Sequence, residues 1–122
     1  MKIAVTAESK STSDVKVDHR FGRSSYFLVF NQENENMEYI KNQAAEAGHG
    51  AGIEAVQTLA DRDVDLLITG RVGPKAFEGL KEAEIEIYLT EDCTVNEALS
   101  DFEDGKLNQP DEPTNQKHPG RK

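Results

Sequence analysis

Apolar residues recur in two rhythms along the chain, and the switches between them predict eight elements. Residues 2–6 read as a strand with Ile3 and Val5 on one face. Residues 8–18 are polar and serine-rich and read as a loop. Residues 26–30 form a continuous apolar and aromatic run, the pattern of a central strand. A polar turn at 31–36 leads into a hairpin strand at 37–40. Ile53, Val56, Leu59 and Ala60 then recur at helical spacing. Residues 64–69 are a buried strand. Pro74 suits the first turn of a helix whose apolar stripe is Ala76, Phe77 and Leu80. Residues 85–89 form the last strand. Thr94 and Glu97 make a capping-box pattern ahead of an amphipathic helix marked by Val95, Ala98, Leu99 and Phe102.

The order is βββαβαβα. The βαβ units require parallel strands joined by right-handed crossovers, and the first hairpins require antiparallel ones. A mixed five-stranded α/β sheet covered by helices satisfies both. If the first strand runs upward, its end at Ala7, the segment from His19 to Arg23, the Gly48, His49, Gly50 loop, the Thr69, Gly70, Arg71 turn and the segment from Thr90 to Cys93 all fall on one edge. Ligands bind there in open α/β sheets. The two glycine-rich loops open helices, whose N-terminal N–H groups attract anions. After Asp104 the chain turns polar and proline-rich, so residues 1–104 read as one domain and residues 105–122 as a flexible tail adding nothing to the core.

Composition narrows the classes. A chain of 122 residues can bury a modest core without a structural metal. Its 14 basic and 23 acidic residues leave a net charge of -9, which repels a nucleic-acid backbone. One cysteine, Cys93, excludes an internal disulfide and suits a reducing compartment. No apolar run has a membrane helix's length and the N-terminus lacks a signal peptide's apolar core, so the chain reads as cytoplasmic.

Several side chains carry alternative chemistries. His49 is either a metal ligand or anion contact, or a loop histidine capping the next helix through water. Arg71 either clamps an anionic group or is a surface residue beside a tight turn. Arg20 and Arg23 flank Phe21 in an otherwise acidic chain, which points to an anionic ligand or to pairing with carboxylates such as Asp18. Cys93 precedes a helix start that would lower its pKa for metal binding, or it is a small buried residue. Gly-x-Ser-x-Gly, His-Glu-x-x-His and the phosphate-binding loop ending in Gly-Lys-Ser/Thr are all absent, so hydrolytic chemistry finds little support.

Arg20, Phe21, Gly22 and Arg23 with Tyr26 and Phe27, then Gly48, His49 and Gly50, then Ile68, Thr69 and Gly70 with Gly73, Pro74, Ala76 and Phe77, and finally Val95, Ala98 and Leu99 form a combined pattern. It resembles the dinitrogenase iron–molybdenum cofactor biosynthesis family, which includes NifX-like proteins and the C-terminal domain of NifB. Many relatives carry histidine directly before Phe-Gly-Arg, where this chain has Arg20. The resemblance implies a ribonuclease H-like fold. It also implies non-enzymatic carriage of an iron–sulfur or iron–molybdenum type cofactor or precursor, in exchange with metallocluster assembly or acceptor proteins. His49 and then Cys93 would be metal ligands. Arg23, Arg71, Gly48, Gly50 and Gly73 would surround the cofactor. The alternative is an anion-binding regulatory module for phosphate or a nucleotide, and a third reading is a metal-dependent hydrolase.

Overall fold

A computed structural model describes residues 1–10, 15–46 and 50–113. Five strands, β1 (Lys2–Ala7), β2 (Tyr26–Asn31), β3 (Met37–Lys41), β4 (Leu66–Thr69) and β5 (Glu86–Leu89), form one sheet in the order β3-β2-β1-β4-β5. β1 pairs antiparallel with β2 and parallel with β4, so the expected mixed sheet is present. Three helices cover it: α1 (Ala51–Asp61), α2 (Pro74–Glu82) and α3 (Val95–Glu103). This arrangement is compatible with the ribonuclease H-like fold implied by the resemblance. No helix among the described residues is long and apolar enough to cross a membrane.

The alternation of side chains builds two cores. Ala4, Phe27, Val29 and Leu67 face α1 and α2, while Ile3, Val5, Leu28 and Ile68 face α3. β1 and β4 are buried almost throughout because both faces are covered. On α1 the buried stripe is Ala51, Ala55, Val56 and Leu59. Ile53, expected in that stripe, is 47% exposed, because the helix is rotated to seat its alanines against the sheet.

Helix endings correct two strand boundaries. Val64 and Ile85 are buried, but their N–H groups donate back to the carbonyls of Leu59 and Leu80. They therefore close α1 and α2, and the strands start later. Asp63, Glu84 and Gly105 occupy the left-handed position after the three helices, with φ of 58°, 62° and 74°. Glycine fits there without a Cβ penalty, whereas glutamate is strained. Glu84→Gly is expected to stabilise the fold by about 0.5–1 kcal/mol, the relieved strain outweighing the added freedom of the unfolded chain. A guanidinium melt with an unmoved or lowered midpoint would contradict this.

Parts of the expected loop and of the expected tail pack into the fold. Within the expected polar loop, Val15 and Val17 are buried. Val17 donates to the Cys93 carbonyl and Val95 to the Val15 carbonyl, so this stretch is stitched beside α3. Residues 11–14 lie outside the described residues. Past Asp104, Leu107 packs against the α3-side core, and the Leu89 N–H donates to the Asn108 carbonyl at 2.8 Å. The part of the expected tail that is described, up to Pro113, thus covers the outer edge of β5 instead of standing clear of the core.

Candidate functional site

The carboxyl ends of β1 and β4 sit side by side at one edge of the sheet, and the segments leaving them are tied together. The buried hydroxyls of Thr6 and Thr69 lie 2.9 Å apart, and Thr6 Oγ1 donates to the Asp18 carbonyl at 2.6 Å. Phe21 N–H donates to the Arg71 carbonyl at 3.3 Å, making Arg20 and Arg71 partners in a parallel bridge. Two arginines distant in sequence are thereby fixed as neighbours.

The turn carrying Arg20 and Arg23 is held from beneath. The Asp18 carboxylate, 7% exposed, accepts from the Arg20 backbone N–H at 3.0 Å and from its Nε at 3.3 Å. Buried Asn42 donates through Nδ2 to the carbonyls of Gly22 and Ser24, and its Oδ1 accepts from the Ala44 N–H. Arg23 Nη1 donates to the Ala45 carbonyl at 3.0 Å. Close backbone approach completes the assembly. A Cβ on Gly22 would lie 2.9 Å from the Gly52 nitrogen, so only glycine lets this turn rest on the start of α1.

A cavity of about 630 Å³ opens above these contacts. Its lining includes Arg20, Arg23, Arg71 and Lys75, together with Gly50 and Gly73. No aspartate or glutamate is among the described lining residues. Gly50 (φ 79°) and Gly73 are the N-caps of α1 and α2, and neither helix has a side-chain cap. By contrast α3, away from the cavity, has the full Thr94–Glu97 capping box. Helix N–H groups and cations therefore gather where helix dipoles are also positive, an arrangement suited to an anion.

Of the residues singled out from the sequence, Arg23, Arg71, Gly50 and Gly73 meet at this cavity. Gly48, His49 and His118 lie outside the described residues. His19 is exposed, with Nε2 3.6 Å from Asp92 Oδ1. Asp18 pairs with Arg20, one of the two readings the sequence offered for that arginine, whereas Asn42 and Lys75 were not singled out. Asn42 lies between Lys41 and Gln43 in a polar stretch, so nothing local marks it out.

Cys93 stands apart. It packs against the α3-side core, with Sγ 3.3 Å from Thr90 Oγ1. The expectation that a helix start would favour its thiolate is reversed. Burial pushes the thiol's pKa above its ordinary 9.0; the Thr90 hydrogen bond opposes this, and the carboxylates of Glu97, Asp101 and Asp92 add to it. Its contribution to stability is whole below the unfolded thiol's pKa and is lost as pH rises through the folded value. Alkylation of Cys93 near pH ~8 is expected to be slower in the folded chain than in denaturant. Equal rates by mass spectrometry would contradict it. Among the described residues, no group of three or more His, Cys, Asp or Glu could hold a metal ion.

Comparison with known proteins identifies the lineage of this architecture. Residues 1–105 match the family model described as dinitrogenase iron-molybdenum cofactor. The chain belongs to this family. It is 31% identical over 110 residues to an uncharacterized protein of Methanocaldococcus jannaschii, covering 88% of this chain and 89% of that one. Among solved structures it is similar to the apo form of the orange protein from Desulfovibrio gigas, with a TM-score of 0.87, 40% identity, and coverage of 93% and 95% of the two chains. A candidate NifB protein from Thermotoga superposes with a TM-score of 0.79 and 37% identity, over 88% of this chain and 91% of that one. The family match ends at Gly105, the residue that closes α3.

Proposed function

We propose that this chain binds and hands on an anionic iron–sulfur or iron–molybdenum type cofactor, or its precursor, as a carrier and not as an enzyme. The observation that carries this reading is the cavity. Four cations and two helix starts without side-chain caps converge there on a chain of net charge -9. Membership in the family supports a cofactor of this class. The described lining contains no thiol, imidazole or carboxylate. A preassembled cluster suits such a surface because its own sulfides complete most of its coordination. Guanidinium and amide N–H groups then hold it by charge-assisted hydrogen bonds.

His49, next to Gly50 in sequence, is proposed as the protein's ligand to the metal. Cys93 is left out because it does not reach the described lining. One protein ligand makes for releasable binding, which suits exchange with cluster assembly or acceptor proteins. Anaerobic reconstitution with iron, sulfide and molybdate is expected to yield a visible chromophore on the wild-type chain and much less on His49→Ala. Equal chromophore on both would remove His49. No chromophore on either would remove the carrier reading.

The same donors suit phosphate or a nucleotide, the second reading. Thermal shift separates the two. An anion present at about 100 times its Kd stabilises by about 2.7 kcal/mol. Such a shift with inorganic phosphate or a nucleotide, in the absence of metal and sulfide, would favour the regulatory module.

A further inference from the structure

Beyond the family match, the chain crosses from β5 to α2. After Asn108 bridges to Leu89, Gln109 and Pro110 lie in a groove with Phe77, Lys81 and Ile87. Asp111, Glu112 and Pro113 then lie along α2, in a groove shared with Lys75, Glu78 and Lys81. Lys75 and Pro74 also line the cationic cavity. Lys75 therefore has an anion-attracting cavity on one side and two carboxylates on the other.

Lys75 is badly placed for its own helix. It stands in the first turn of α2, where the dipole repels a cation and no acidic residue offsets it. No ion pair of Lys75 is seen among the described residues, so the strap formed by residues 109–113 does not lock it at close range. The charged groups around it are Glu78 and Lys81 on α2, Asp111 and Glu112 on the strap, and Arg71, Arg23 and Arg20 across the cavity.

We propose that Asp111 and Glu112 act as an internal anion that competes with the cavity's ligand for Lys75, weakening retention and easing release. This rests on the cavity being an anion site. A cation poised between two negative partners turns toward whichever is nearer and less screened. Filling the cavity draws Lys75 inward, and the strap offers it an alternative as the ligand leaves.

The test is a double-mutant cycle on the full chain, with molybdate as the anion probe. Asp111→Asn with Glu112→Gln is expected to tighten molybdate binding about two- to fourfold at low ionic strength, a gain that fades as salt is added. In a Lys75→Met background the same pair of changes is expected to have no effect. A second readout needs no ligand: at fixed pH, the NMR resonances of the Lys75 side-chain ε-methylene are expected to shift when Asp111 and Glu112 are neutralised. Unmoved Lys75 resonances overturn the strap's influence, even where molybdate binds. Equal tightening in both backgrounds overturns the competition, since it then reflects bulk charge. If the Lys75 resonances shift but no form binds molybdate, the competition falls because the cavity reading itself has failed.

Discussion

Phe21→Ala is expected to destabilise the chain by about 3–5 kcal/mol, a large share of the ~5–15 kcal/mol that holds a domain of this size folded. Phe21 is only 2% exposed and packs in the α1/α2-side core, its ring centroid 5.8 Å from that of Phe27. Its backbone is committed as well. The N–H donates to Arg71, and the carbonyl accepts from the Ser24 hydroxyl at 3.3 Å. The ring is thus the anchor that turns its flanking arginines up into the cavity. Truncation removes the anchor and leaves a void beneath the site. Phe21→Leu, which keeps most of the volume, is expected to cost distinctly less. The check is chemical denaturation of the three chains. A loss below about 1 kcal/mol for alanine would mean the site collapses freely and the ring is no anchor.

Arg71→Glu is expected to leave the fold nearly unchanged and to lower affinity for an anionic cluster about 100-fold or more. Removing one charge-assisted hydrogen bond costs about 1.5–3 kcal/mol, and each 1.4 kcal/mol is tenfold in affinity. The new carboxylate adds repulsion in a lining without any described acid. The fold tolerates the change because Arg71 is exposed and its structural contribution is its backbone, the carbonyl bonded to Phe21. Arg71→Lys is expected to fall between, about tenfold weaker, since lysine keeps the charge but loses the planar two-pronged donor. Anaerobic titration of cluster into the three chains reads this order directly. Wild-type affinity in Arg71→Glu would take Arg71 out of the site.

Much of the fold was legible because local patterns carried it. The unbroken apolar run of β2, Pro74 at the start of α2, and the Thr94–Glu97 box each state a local backbone preference that tertiary contacts reinforce. Chain direction then followed from connection rules, which is why Arg23, Arg71, Gly50 and Gly73 could be assigned to one edge beforehand. What went unread was non-local. Val15 and Val17 alternate over too few residues to signal a strand, and their partners Cys93 and Val95 lie far along the chain. Val64 and Ile85 look like strand starts by hydrophobicity, yet their N–H groups are already bonded to the preceding helices.

Hydrophobic rhythm, caps and turn residues by themselves determined the elements, their order and the edge where the glycine loops and arginines gather, because these depend on near neighbours and on chain connectivity. Tertiary structure alone decided that the thiol turns into the α3-side core instead of the cavity, that Arg20 rather than Arg23 takes the Asp18 carboxylate, that Asn42 supports their turn, and that Lys75 lies between cavity and strap. Those features depend on the distance and desolvation of groups separated in the chain, quantities that no local pattern encodes.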